Sequence, residues 1–361
     1  MASNFRKEKF LMKYIIAFLF FITLVSCKEN NDNKTVNEQK DKLTVKASEI
    51  KNTPLFEPNK NYDLNYNLDK NKTYKYRIST TSSDHQKIIT SDTTFDQTIN
   101  QSAEYLTGLN LTEIDKNGIL EVNCNVSSIK INLLQQPSQN SISYESGVTP
   151  DSIVKQRFAE YDALVHNEFG IRISKYGEIS DIYKVDNILN KYLNLKGTSD
   201  SVTATEKDQI RMEIIEGILK PLVIQIFRQL PKKSVGVDSS WSFSQPPAPL
   251  IVFKSENTTT YKLTGLEKSG NEKLAVIQAG LITKVTGDNT LTKNGVVYNF
   301  NKPKTEAGGQ IYFNLSKGVI QKSKTSTKIS LSFSMEMQTP KGKQKGNREE
   351  ETTTTNTVEL L

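Results

Sequence analysis

Apolar and polar residues alternate along most of this chain. Tyr62, Leu64, Tyr66 and Leu68 alternate with Asp63, Asn65, Asn67 and Asp69. A DKNK turn follows, and then Tyr74, Tyr76 and Ile78 alternate with Lys75 and Arg77. A period of two predicts strands with one buried face. The same pattern places Leu120, Val122, Cys124 and Val126 on one side of a strand. Near the C-terminal end, KISLSFSMEMQ puts Ile329, Leu331, Phe333, Met335 and Met337 on one face, with serines and Glu336 on the other.

Turn residues punctuate these runs. Asn117-Gly118 and Asn294-Gly295 tolerate the positive φ that tight hairpins require. Gly177, Gly270 and Gly318 mark three further turns. The polar PKGKQKGNREEE reads as a hairpin tip, and TTTTNTVELL as a closing strand. The SSDHQK stretch around His85 reads as a loop. Together these signals predict long antiparallel strands with one wet face.

Helical spacing is confined to the middle. Thr149 and Pro150 suit an N-cap and first turn for a helix through Val165. Val185, Ile188, Leu189, Tyr192 and Leu193 follow helical spacing. A longer helix is predicted from about Thr205 to Leu230, kinked or split at Pro221, which lacks a donor. The fold expected is α+β: a large curved antiparallel sheet, half-barrel-like, with a central helical segment packed on one face. EFGIRISKYGEI (168–179) and QIYFNLSKGVI (310–320) share the order strand, Ser-Lys, glycine turn, strand. They are either a mark of two pseudo-repeated halves or two ordinary hairpins.

The N-terminal region has a different pattern. Tyr14–Val25 is an uncharged run of 12 residues. That is short of the roughly 20 needed to span a bilayer and matches the core of a secretory signal peptide. Arg6, Lys7, Lys9 and Lys13 flank it, and Met12-Lys13 offers a second, compact start. Residues 28–42 hold one apolar side chain, Val36, too few to offset the entropy of ordering. The division expected is therefore a signal peptide at 1–26, a flexible polar tether at 27–60 and a folded body at 61–361. Within the body, 61–148 and 231–361 are mainly strands. Residues 149–230 are mainly helices, with a hairpin near 168–183.

Composition narrows the chemistry. Of 361 residues, 47 are basic and 40 acidic, a net charge of +7 to which the leader contributes. Lysine is dispersed and no basic stripe interleaves with aromatics, so nucleic acid is not an expected partner. The only histidines, His85 and His166, have no second ligand at metal spacing. No nucleophile elbow, phosphate loop or dinucleotide fingerprint is present. No catalytic residue, metal or cofactor is expected, and the chain is not read as an enzyme. The Glu349-Glu350-Glu351 run reads as a solvated hairpin arm.

Leu24-Val25-Ser26-Cys27 resembles the lipobox of bacterial lipoproteins, which implies an acylated Cys27 at the mature N-terminus. Stable anchoring takes more than one acyl chain, and such a cysteine meets that condition. The implied location is the outer membrane, held by lipid such as palmitate, on the periplasmic face or the cell surface. Lys28-Glu29-Asn30-Asn31-Asp32 resembles the surface-export signal of Bacteroidota lipoproteins. With Cys27 acylated, Cys124 has no disulfide partner and reads as a buried hydrophobe.

LNYNLDKNKTYKYR, FGIRISKYGEI, LPKKSVGVDSSW and GGQIYFNLSKGVI, together with the lipobox, resemble an uncharacterised family of Bacteroidota lipoproteins of unknown function. The Gly236–Trp241 turn is one residue looser than that family's pattern. In it Trp241 reads as the first buried position of a strand. Asp92-Thr93-Thr94, Asp151-Ser152-Ile153 and Asp200-Ser201-Val202 resemble the O-glycosylation triplets of Bacteroidota exported proteins.

The architecture is similar in outline to the half-barrels of lipoprotein carriers. By that likeness Leu331, Phe333, Met335 and Met337 would face Leu222, Val223, Ile226 and Phe227 and line a cavity for a lipid or other apolar ligand. The same residues could instead form a solid core. The chain then reads as a lipid-anchored envelope protein that binds or carries a hydrophobic ligand. The alternative is a structural or accessory component of an outer-membrane or surface complex, with an envelope protein as partner.

Overall fold

The alternating runs become strands of unusual length. A computed structural model describes residues 52–57, 59–149, 152–339 and 342–361. The leader, Cys27, most of the tether, Pro150 and Asp151 lie outside them. The strands are β1 Thr53–Leu55, β2 Thr73–Thr90, β3 Thr94–Ile114, β4 Ile119–Gln136, β5 Asn140–Glu145, β6 Glu168–Ser174, β7 Ile179–Tyr183 and β8 Ser240–Ser244. They continue with β9 Ala248–Leu250, β10 Phe253–Ser269, β11 Glu272–Thr286, β12 Thr290–Lys293, β13 Val296–Phe300, β14 Lys304–Asn314, β15 Val319–Thr339 and β16 Gly342–Leu360. All sixteen join one sheet, whose main path runs β1-β10-β11-β14-β15-β16-β2-β3-β4-β6-β7. Every ladder is antiparallel. The sheet does not close into a barrel, because the path ends at β1 and β7. Short strands β1, β8 and β9 cover the outer edge of β10, which removes a long open edge.

Two stretches of the path share one connectivity. In each, two long strands pair, the chain makes an excursion, and a glycine-turn hairpin returns beside them: β3-β4-β6-β7 and β10-β11-β14-β15. The β6-β7 and β14-β15 hairpins are the two that share the Ser-Lys-Gly order. The fold is thus predominantly β, with helices confined to the first excursion and the segment after β7.

Those helices are α1 Ser152–Arg157, α2 Ala159–Asp162, α3 Asp186–Lys196, α4 Ala204–Ile214 and α5 Lys220–Ile226. Helix α3 ends on Gly197 at φ +66°, where Thr198 N–H reaches the Leu193 carbonyl. Helix α4 starts on a reciprocal cap between Thr203 and Glu206. Between α4 and α5, residues Ile215–Leu219 form a π-turn. This turn absorbs Pro221, so the rod is not split. The helix stops at Ile226, four residues before the expected Leu230, because Phe227 turns extended and Leu230 N–H bonds the Tyr176 carbonyl.

Three other expectations shift. The compact body begins at Thr53, since β1 pairs with Leu266–Lys268 of β10. His85 lies inside β2 opposite Thr98, not in a loop. Most of the expected hairpin tip belongs to β16, where Lys345 and Lys343 pair with Glu336 across the ladder. The predicted turns at Gly118, Gly177, Gly270, Gly295 and Gly318 all form with positive φ.

The main core lies on one face of the sheet, at one end of the long strands. Tyr76 and Ile78 of β2, Leu109 of β3, Val122 and Cys124 of β4, Phe169 and Ile171 of β6, and Ile311 and Phe313 of β14 share it with the helices. The extended segment Tyr62–Leu68 also enters this core, its four apolar residues all buried. It is tied on both sides to the repeated glycine turns: Tyr66 N–H bonds the Lys175 carbonyl, and Asn67 N–H the Gly318 carbonyl.

Candidate functional site

The helix-bearing face changes character along the strands. In the core zone, neighbours across β15, β16 and β2 are Ser323, Val358 and Ile78. Moving away from the helices, the rows become Thr325-Asn356-Thr80, Thr327-Thr354-Ser82 and Ile329-Thr352-Asp84. This belt is bridged by hydroxyls: Thr80 Oγ1 to Asn356 Oδ1 at 2.8 Å and Thr352 Oγ1 to Asp84 Oδ1 at 2.7 Å. Beyond it come Leu331-Glu350-Gln86, Phe333-Arg348-Ile88 and Met335-Gly346-Thr90.

The expected cavity residues therefore fall in two places. Leu222, Val223, Ile226 and Phe227 are buried in the main core. Leu331, Phe333 and Met335 are half-buried and Met337 is 39% exposed, and none of the four joins that core. Phe333 instead packs with Phe300 at 4.9 Å and Tyr298 at 5.9 Å, and Phe300 with Phe253 at 6.4 Å. Ten residues of β15 separate Phe333 from Ser323, roughly 30 Å at strand rise. The two sets share a face but not a pocket, because the hydroxyl belt lies between them.

At the helix end of this face sits a group that the sequence reading passed over. Arg228 follows α5, and its backbone is fixed by Tyr66: the phenol accepts from Arg228 N–H at 2.7 Å and donates to the Arg228 carbonyl at 3.1 Å. Tyr66 is itself wedged edge-on between Phe227 and Phe313. The Arg228 guanidinium makes no ion pair or hydrogen bond among the described residues, and its Nε is sealed from solvent without a partner. The residue as a whole is only half-buried, so the terminal nitrogens are the part that reaches outward. Desolvation lowers its pKa, and only the Tyr261 and Tyr66 phenols oppose this. A faint signal did exist: no acidic residue occurs between Glu216 and Asp238. Trp241 stands close by in the fold, stacked on Tyr261 at 5.6 Å and donating to the Gln229 carbonyl at 3.3 Å.

Beyond the hydroxyl belt, the acidic run proves two-sided. Glu349 and Glu351 are exposed, whereas Glu350 is buried and bonded by Arg348 at 2.6 Å. Burial raises the Glu350 pKa. Arg348 opposes the shift and Asp84 adds to it. A carboxyl whose folded pKa is raised favours the folded state most when protonated. The stability of the wild type relative to Glu350→Gln is thus expected to fall as pH rises through the Glu350 pKa. At neutral pH the variant should be at least as stable as the wild type. Urea titrations at pH 4 and pH 7 check this, and a Gln variant weakened only at pH 7 refutes it.

On the opposite face, His85, Lys302, Lys304, Glu349 and Glu351 border an open cleft of about 620 Å³. His85 Nε2 is bonded to Asp96 at 2.8 Å, and His166 is exposed. Among the described residues, no three metal-ligating side chains converge. Cys124 is buried, and burial pushes its thiol pKa up. Gly170 lies under the Tyr183 ring, so the glycine of FGIRIS serves packing.

A search of curated proteins finds no match. Among solved structures, lipovitellin, whose title concerns lipid–protein interactions, aligns with 82% of this chain at 13% identity and a TM-score of 0.41. This chain spans only 25% of the lipovitellin chain. Pseudomonas aeruginosa OpdK with vanillate aligns over 78% of this chain and 98% of its own, at 4% identity and a TM-score of 0.14. OccK11 (OpdR) of the same organism aligns over 83% and 100%, at 6% and 0.12. Likeness at this level says nothing of what this chain binds. A family profile, in contrast, matches residues 117–320, which hold Arg228 and both repeated glycine turns. The chain belongs to a family of unknown function, DUF6263.

Proposed function

We propose that this is a lipid-anchored protein of the cell envelope whose body binds an apolar or amphipathic ligand along the helix-bearing face. The observation that carries the reading is the second apolar patch on that face. Tyr298, Phe333, Met335 and Met337 are part-exposed and lie outside the core that the helices fill. Part-exposed aromatics and methionines gathered in one place suit adaptable contact with hydrocarbon. The anchor is Cys27, acylated behind the Tyr14–Val25 run. The chain acts by binding and not by catalysis.

Mass spectrometry of the full chain extracted from membranes tests both halves. The expected spectrum carries acyl mass that Cys27→Ser abolishes, together with co-purified lipid. Met337→Ser, at the exposed end of the patch, should weaken apolar-dye binding several-fold while leaving the melt nearly unchanged. A protein free of lipid and silent to such dyes would discard ligand binding. A second reading, an accessory subunit of an envelope complex, is favoured by the hydroxyl-rich strands β2, β15 and β16. It predicts one stoichiometric partner in a pull-down.

A further inference from the structure

We infer that Arg228 is the head-group site of this face and that the ligand carries an anionic head, a carboxylate or a phosphate. The inference rests on the proposed ligand-binding role and adds the polarity of the ligand to it.

Three observations converge on it. Among the described residues the guanidinium has no counter-ion and no hydrogen-bond acceptor, although its Nε is enclosed by protein. Buried polar groups are nearly always satisfied, and an exception calls for a partner. The missing partner has to be an acceptor, because arginine offers only donors. Secondly, the residue is held ready. Tyr66 bonds both its N–H and its carbonyl, and Gly177 packs directly against that carbonyl. The pinned backbone sets where the side chain starts, and a guanidinium fork matches the geometry of a carboxylate or phosphate. Thirdly, the rows leading away from the helices along β15, β16 and β2 begin with small neutral side chains, Thr325, Asn356 and Thr80. They leave an anion unopposed until Asp84 and the Arg348–Glu350 pair.

Displacement of cis-parinaric acid from the purified full chain tests the inference. The competitors are oleate, oleoyl lysophosphatidate and oleyl alcohol. Oleate or the lysophosphatidate should displace the probe at concentrations at least tenfold lower than the alcohol. A preference between the two acids identifies the head group. Arg228→Gln should remove that advantage and weaken the probe, itself a carboxylate, while leaving the alcohol's inhibition constant unchanged, and Arg228→Lys should restore part of the advantage. An alcohol that competes as well as both acids against the wild type overturns the head-group site and leaves ligand binding standing. So does an acid preference that survives in Arg228→Gln. Should neither the probe nor any competitor bind, both proposals fall. If Arg228→Gln does not fold, the wild-type comparison of acids with alcohol still decides.

Discussion

Replacing Gly177 with alanine is expected to destabilise the body by about 2–5 kcal/mol, lowering its melting temperature by up to about 10 °C. Two effects add. Gly177 sits at φ +84°, where a side chain costs roughly 1–2 kcal/mol. Its added Cβ would also lie 2.2 Å from the Arg228 carbonyl oxygen and 3.0 Å from the Tyr66 ring, and overpacking of this kind costs about 1–3 kcal/mol. The contact is with backbone, so no rotamer change relieves it. Gly318 is a second such position, at φ +63° with Asn67 N at 2.6 Å. Gly118 is the control: its φ of +76° is similar, but nothing lies within 4 Å. Gly118→Ala should lose only about 1 kcal/mol. Thermal melts of the three variants check the ranking. A Gly177→Ala protein that melts with Gly118→Ala would show that the turn yields and does not grip the Tyr62–Leu68 segment.

Tyr66→Ala is expected to cost about 3–5 kcal/mol, the usual range for removing a large buried aromatic. The ring fills the space between Phe227, at 5.1 Å, and Phe313, at 5.6 Å. Tyr66→Phe keeps that packing and loses only the hydroxyl's bonds to Arg228 and the Ile226 carbonyl, which is worth about 1–2 kcal/mol. Denaturant titrations separate the two. Equal losses in both variants would mean that the hydroxyl, not the ring, carries the stability. Tyr66 touches the Gly177 turn, so the double variant should lose less than the sum of the singles.

What could be read from sequence follows from how locally each feature is encoded. Strands with one buried face announce themselves, as Tyr74-Tyr76-Ile78 and Leu120–Val126 do, because burial imposes the period of two. The turns at Gly118 and Gly295 are equally local. The misread segments are strands wetted on both faces. There the hydrophobic period vanishes, so the His85 stretch of β2 and Gly342–Glu351 of β16 look like loop and tip. Their order comes from partners far along the chain, such as Glu336 for Lys345 and Asp84 for Thr352. Helix boundaries failed for a similar reason: Phe227–Leu230 is pulled out of the rod by Tyr66 and Tyr176. Arg228 was overlooked because an unpaired charge is a property of three-dimensional neighbours. The expected single cavity failed because the period of two gives a residue's face but not its distance along the sheet.

Strand β16 has a consequence for assembly. Among the described residues it is the only strand that links the stretch ending at β15 to the stretch beginning at β2. It also lies C-terminal to every other strand described. A polypeptide threaded N-terminus first through a translocation channel would emerge with two unfinished sheets. The exposed margins of β2 and β15 could not be sealed until Leu360 had passed through. For that interval these margins are the sites where a chaperone would need to bind, and where two copies could zip together wrongly.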